Sequence, residues 1–249
     1  MVLLPNMDED PTLVAMRKAV EDRDNSKPKR DYLGASTLGH ECERFIYYQL
    51  YHAEKAEPIE YKGCAAIEDG HRTEQLIKDR LRLVSGIQLW DIDEVTKEQI
   101  GFQEGRFGGH VDGIIKGLLQ APTKTHIFEA KACNEKKFND LKKCIEKFGN
   151  KGALKEWDYT FFVQAQIYMG KLSEIYDTVI DRHYLVCSTP GGRDEISCRT
   201  EFQPVVYKAM LTKKDRILKA KEPPERAASK PEMFICKWCK FREFCWQDA

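Results

Sequence analysis

An α/β fold, with a mixed central sheet flanked by helices and a cysteine-capped helical lobe, is what this sequence predicts. Three observations carry that expectation. Helix-patterned segments come first. A run of short, partly alternating segments bounded by Gly and Pro follows in the middle, and helix patterns then return. The chain ends on FICKWCKFREFCW, a compact tail that holds Cys236, Cys239 and Cys245. With 249 residues, 42% of them hydrophobic and 32% charged, the chain has room for one large or two small domains and enough apolar material for a core. Residues 1–31 are expected to be a charged, partly flexible segment, and residues 32–249 a single domain.

The elements are expected in the following order. The first thirty residues close on DRDNSKPKRD, a solvated linker by composition, with PTLVAMRKAVED a short amphipathic helix after Pro11. STLGHECERFIYYQLY predicts a helix with Ser36 as N-cap, and residues 64–83 predict another. IQLWDIDEV, EQIGFQEG, RFGGHVDGIIKG and THIFEAKAC have the grammar of strands and hairpins, which puts Asp112 on a strand next to Gly113. The lysine-rich NEKKFNDLKKCIEKF and the apolar WDYTFFVQAQIYMGKL predict two helices. IDRHYLVCS and RDEISCRTEF predict strands around a TPGG turn, and QPVVYKAMLTKKDRILKAK predicts a long helix.

Composition excludes several classes. No apolar run approaches the roughly 20 residues that span a bilayer, so no membrane partner is expected. The start, MVLLPNMDEDPTLVAMRK, lacks the basic flank and long apolar stretch of a secretory leader, which points to the cytoplasm. Nine cysteines, odd in number and unevenly spread, argue against a secreted disulfide framework. Lys plus Arg equals Asp plus Glu at 40 each, which counts against a general basic coat but leaves room for a local basic groove beside an acidic site.

The chemistry concentrates on Asp112 and on Glu129-Ala130-Lys131. Side chains alternate faces along a strand, so Glu129 and Lys131 share one side of THIFEAKAC. Two carboxylates at one end of a sheet suit a hard divalent cation, which lowers the pKa of bound water and stabilises charge on a phosphate. A lysine beside them would orient or deprotonate that water. His71, upstream on a predicted helix, would complete a His-Asp-Glu set and bias it toward Mn²⁺; alone it reads as an exposed helix histidine. Glu74, three residues on and on the same face, would either assist that metal set or be a surface carboxylate, with the second reading preferred. Gln164 and Tyr168, four apart on the apolar helix, share a face, and their polar groups need partners there.

Cys236, Cys239 and Cys245 offer three corners of a metal centre, and Cys42 is the candidate for the fourth, with His40 a fallback. This spacing suits a four-cysteine zinc ion and an iron–sulfur cluster equally. Cys64, Cys133, Cys144, Cys187 and Cys198 read as packing thiols.

The ordered set His71, Asp112, Glu129-Ala130-Lys131 and Gln164-x-x-x-Tyr168 resembles the signature of RecB-like PD-(D/E)XK nucleases. Cys42-Glu43-Arg44 before it and the three tail cysteines after it make it similar to the iron–sulfur branch. That branch holds CRISPR-associated adaptation exonucleases, the nuclease subunits of AddAB helicase–nucleases and related phage enzymes. The likeness runs over about residues 32–246, with one departure: Val111 stands where the name-giving Pro would precede Asp112. The resemblance implies a restriction-endonuclease-like core, a structural [4Fe–4S] cluster on Cys42, Cys236, Cys239 and Cys245, and Mn²⁺ or Mg²⁺ on His71, Asp112, Glu129 and the Ala130 carbonyl. It also implies exonucleolytic cleavage of single-stranded or frayed DNA ends, with Lys131 serving the attacking water. The lysine-rich stretch 136–155 is long for a minimal core and reads equally as a DNA-contacting lid or a solvated helix. No G-x-x-x-x-G-K-[ST] motif occurs, so the chain acts alone or borrows a helicase, recombination or CRISPR partner. The alternative function is a DNA-end-binding adaptor that keeps the fold without catalysis.

Overall fold

The computed structural model describes residues 10–247; the N-terminal start that bears on the leader reading, residues 1–9, lies outside them. The fold is mixed α/β, as expected, but with two sheets rather than one central sheet. The larger is built from β2 (Gln88–Trp90), β5 (Gly113–Lys116), β6 (His126–Ala132), β7 (Arg182–Ser188) and β8 (Glu195–Glu201), in that order. Its β6–β7 pair is parallel and its other pairs are antiparallel. The smaller sheet places β4 (Phe107–His110) between β1 (Leu33–Gly34), to which it runs parallel, and β3 (Gly101–Glu104), to which it runs antiparallel.

Asp112 therefore does not sit on a strand. The predicted RFGGHVDGIIKG strand divides into β4 and β5, which belong to different sheets, and Val111 and Asp112 form the link. Val111 is fully buried and holds the joint.

Helices cover both faces of the larger sheet. On one side α3 (Tyr61–Arg82) lays Ile77 against Ile115, Phe128, Ala130 and Val186. On the other, Ile127, Leu185 and Cys187 pack with α4 (Glu135–Trp157), α5 (Tyr159–Ile175) and α6 (Pro204–Lys219) in the main core. Every residue of α5 from 162 to 172 is buried, which explains its largely apolar sequence, and the polar exceptions Gln164, Gln166 and Lys171 each have a hydrogen-bond partner. Each large side chain it buries contributes roughly 1.5–3 kcal/mol of transfer free energy. Its N-terminus is set by Asp158, whose carboxylate accepts from the Thr160 and Phe161 amides at 3.0 and 3.1 Å. The lysine-rich helix α4 bends at Gly149, where a φ of 72° favours glycine.

Two helix boundaries differ from the sequence expectation. α2 spans Glu43–Tyr51, and Cys42, not Ser36, is its N-cap; Ser36 lies in a separate 3-10 turn, Ala35–Thr37. Between them Gly39 comes so close to α5 that an added Cβ would stand 2.6 Å from the Thr160 Cα, and a helix carried through this point would collide with it. At the N-terminus, α1 (Pro11–Asn25) runs on through the DRDN expected to be linker. It buries no residue and is tied to the start of α3 by polar bonds: the Asn25 side chain exchanges two with the Ile59 backbone, and Glu21 accepts from the Tyr61 amide.

The tail folds back as two short helices, α7 (Phe234–Lys237) and α8 (Arg242–Trp246). Phe241 and Phe244 pack on Tyr48 of α2, with ring centroids 5.7 and 4.9 Å away. The Glu57 amide donates to the Lys240 carbonyl at 2.7 Å. Among the described residues, no helix is long and apolar enough to cross a membrane.

Candidate active site and cysteine lobe

An open cavity of about 550 Å³ lies between α3, the β4–β5 link, β6 and α5. It gathers His71 and Glu74 from α3, Asp112 from the link, Glu129 from β6, and Gln164 and Tyr168 from α5. The alternation of β6 explains its share: Phe128 and Ala130 enter the α3-side cluster, which leaves Glu129 and Lys131 facing the α5 side.

The partners are specific. Asp112 Oδ2 accepts from the Ala130 amide at 2.8 Å. Glu129 Oε1 accepts from Gln164 Nε2 at 3.1 Å and pairs closely with the Lys131 ammonium. Glu129 is only 4% exposed, and its Oε2 is buried with no hydrogen-bond partner. Burial, then the neighbouring Glu129 charge, raises the Asp112 carboxyl well above the ordinary carboxylate range. Burial works against the Lys131 ammonium, but Glu129 and Asp112 outweigh it and raise its pKa. The Tyr168 phenol is likewise raised, by burial and then by the two carboxylates.

His71, Asp112, Glu129, Gln164 and Tyr168 thus line one cavity, and Lys131 joins them through its pair with Glu129. Among the described residues, no three His, Cys, Asp or Glu side chains are arranged to hold one ion. His71 is exposed on α3 and lines the cavity without closing on the carboxylates. Ala130 takes part through its amide, which fixes Asp112. An oxygen-seeking cation still fits the donor set, because Mg²⁺ retains several waters and needs only one or two carboxylates. The unpartnered Glu129 Oε2 is the buried oxygen such an ion would satisfy.

Glu74 is not the surface carboxylate expected. It lines the cavity and accepts from Lys78 Nζ at 2.8 Å. Lys78, buried one turn further along α3, also pairs with Asp91 at 3.2 Å. The sequence held a signal for this group in the i, i+4 spacing of Glu74 and Lys78. Asp91, beyond the end of β2, had none.

Cys42, Cys236, Cys239 and Cys245 line a second, apolar cavity between α2 and the tail, together with His40 and Phe45. Cys42 Sγ accepts from the Phe45 amide at 3.4 Å, and burial followed by the other three thiols raises the Cys239 pKa. Four thiols on one cavity are the donor set of a thiophilic metal centre. Cys133, Cys187 and Cys198 are buried in the main core, Cys144 packs against it, and Cys64 is buried where α3 meets α1 and does not line the cavity that holds Asp112 and Glu129.

No family model and no curated protein matches the chain. Among solved structures it is similar to SSO0001, at 16% identity over 97% of this chain and 98% of that one, with a TM-score of 0.47. It is also similar to an alkaline exonuclease from Laribacter hongkongensis, at 14% identity over 81% and 90% of the two chains and a TM-score of 0.47. A complex of that exonuclease with dAMP gives 16% identity over 76% and 87%, with a TM-score of 0.49. Similarities this remote assign no activity to the chain.

Proposed function

We propose that the chain is a metal-dependent DNA exonuclease of the RecB-like PD-(D/E)XK kind, hydrolysing phosphodiester bonds at single-stranded or frayed ends. The observation that carries this reading is the meeting of Asp112 and Glu129 on one open cavity, with Lys131 paired to Glu129 and Glu129 Oε2 buried and unpartnered. Leaving such an atom unsatisfied costs about 1–3 kcal/mol or more, a cost that a cation held there removes. Asp112 and Glu129 would hold Mn²⁺ or Mg²⁺, with His71 and the Ala130 carbonyl as further donors. Once bound, such an ion acidifies water and stabilises charge on a phosphate. The chain's own residues supply the rest: Gln164 fixes Glu129, the Ala130 amide fixes Asp112, and the Lys131 ammonium orients the attacking water against the phosphate.

The four-cysteine cavity would hold a [4Fe–4S] cluster that fastens the tail to α2 and completes one domain over residues 32–249. A structural zinc ion needs four protein ligands closing on one point. The four thiols lining one cavity suit a cluster or a zinc ion alike, and metal analysis of the purified protein separates the two. The proposed location is the cytoplasm, alone or with a helicase, recombination or CRISPR partner.

One observation favours the non-catalytic DNA-end binder: Glu129 and Glu74 each already hold an ammonium. End-labelled linear and circular single-stranded DNA, incubated with anaerobically purified protein in Mn²⁺, Mg²⁺ or chelator, decides between them. Metal-dependent loss of linear DNA with circles intact is expected. Binding without cleavage in either metal would establish the binder instead.

A further inference from the structure

Positions 161, 164 and 168 are spaced three and four apart and so lie along one face of α5. Gln164 and Tyr168 serve the catalytic cavity, and one turn nearer the N-terminus that face carries Phe161. Phe161 is only partly buried, and the Trp157 ring lies beside it at 5.7 Å and 44°. Trp157 is pinned, because its Nε1 donates to the Lys137 carbonyl at 3.0 Å. Two ammoniums flank these rings: Lys131 Nζ stands 5.2 Å from the Phe161 centroid and Lys137 Nζ 5.8 Å from it. Lys137 Nζ is also 6.0 Å from the Trp157 centroid. The Lys137 side chain is 57% exposed, and the nearest carboxylate, Asp158, is a long 3.7 Å away with its other oxygen engaged in capping α5.

We infer that Phe161, Trp157 and Lys137 form a nucleotide subsite beside the catalytic centre, linked to it through Lys131, where a base of a single DNA strand stacks and an adjoining phosphate meets the Lys137 ammonium. This rests on the nuclease reading and adds to it a place for the strand. Fixed, partly exposed aromatic faces interleaved with cations complement a ligand that is both planar and polyanionic, which describes an unpaired strand. A duplex keeps its bases stacked on one another and offers these rings nothing. The subsite also gives Lys137, at the start of the lysine-rich α4, a specific role that a solvated helix would not have.

The test is equilibrium binding in chelator, so that nothing is cleaved, using labelled oligothymidylate and a base-free abasic chain of the same length. The wild-type protein should prefer the strand with bases. Phe161→Leu, which keeps an apolar packing residue, should weaken oligothymidylate by roughly fivefold or more and abolish that preference. Lys137→Gln, at an exposed position, should weaken both chains and lower the slope of log K against log salt by about 0.7. Failure of the wild type to bind, no preference for bases, or binding by both variants equal to wild type would each overturn the subsite. Hydrolysis by wild type in Mn²⁺, measured separately, reads the nuclease assignment: binding without hydrolysis sinks that assignment and leaves the subsite standing.

Discussion

The backbone amide of Ala130 donates to Oδ2 of Asp112 at 2.8 Å, and this bond ties the link between the two sheets to the strand that carries Glu129 and Lys131. Asn in place of Asp112 can still accept from that amide through its carbonyl oxygen. Asp112→Asn should therefore keep the fold and lose DNA cleavage in Mn²⁺. Asp112→Ala leaves the amide unpaired and should lose about 1–3 kcal/mol of stability as well. Urea unfolding and end-labelled DNA degradation of the two variants check this; an Asp112→Asn protein with near-normal cleavage refutes the role of Asp112.

A cation that binds the folded chain stabilises it. At a concentration roughly 100 times its Kd the gain is about 2.7 kcal/mol, on the order of 5–10 °C in melting temperature for a chain of this size. Mn²⁺ should raise the melting temperature of the wild type and leave Asp112→Asn and Glu129→Gln unmoved. Equal shifts in all three proteins would place the ion elsewhere.

Gln164 Nε2 reaches Glu129 Oε1 at 3.1 Å, and Tyr168 lies one turn along on the same cavity. Gln164→Ala and Tyr168→Phe should each slow cleavage by up to roughly 100-fold, the range seen when a partner of a metal ligand is removed. The Mn²⁺-induced rise in melting temperature should persist in both. If it vanishes in Gln164→Ala, Gln164 holds the ion itself.

How much of this was legible in the sequence follows from the range of the forces involved. The face shared by Glu129 and Lys131 needed only strand alternation, and the pairing of Gln164 and Tyr168 only helix periodicity, so both were readable. The end of the strand before Asp112 was not, because nothing local in GGHVDGII marks the point where the chain changes sheets. The start of α2 at Glu43 depends on the approach of Gly39 to α5, a contact some 120 residues distant in sequence. Asp91 and Lys78 meet only because β2 returns beside α3, which no local pattern encodes.

His183 is fully buried on β7 with its Nδ1 unpartnered, and burial, then Lys131, depresses its pKa to about 3. Burial also lowers that of His126 on the adjoining strand. Between pH 6.5 and about 3 the unfolded chain binds a proton that the folded His183 refuses, so stability falls as pH falls through that window and is unaffected above it. The loss is about 1.4 kcal/mol per pH unit for His183 within that window. His183→Leu should match or exceed wild type at neutral pH and lose less stability on acidification, measured as urea midpoints. Parallel losses in the two proteins would show that His183 titrates normally.

The cysteines divide by position. Cys42, Cys236, Cys239 and Cys245 line the cavity where the tail meets α2, whereas Cys64, Cys133, Cys144, Cys187 and Cys198 are packed elsewhere. A cluster bridging Cys42 to the tail closes a very long loop, and its binding energy is coupled to folding. Serine at any of the four should therefore bleach a brown protein, lower its iron and sulfide content and reduce its melting temperature. Serine at the other five should leave iron and colour intact. The aromatic packing of Phe241 and Phe244 on Tyr48 holds the tail without metal, so the bleached variants should remain folded enough to purify. Iron, sulfide and zinc analysis of all nine variants after anaerobic purification settles the matter. A colourless wild type with stoichiometric zinc eliminates the cluster, and a brown Cys42→Ser protein with full iron eliminates Cys42 as the fourth ligand.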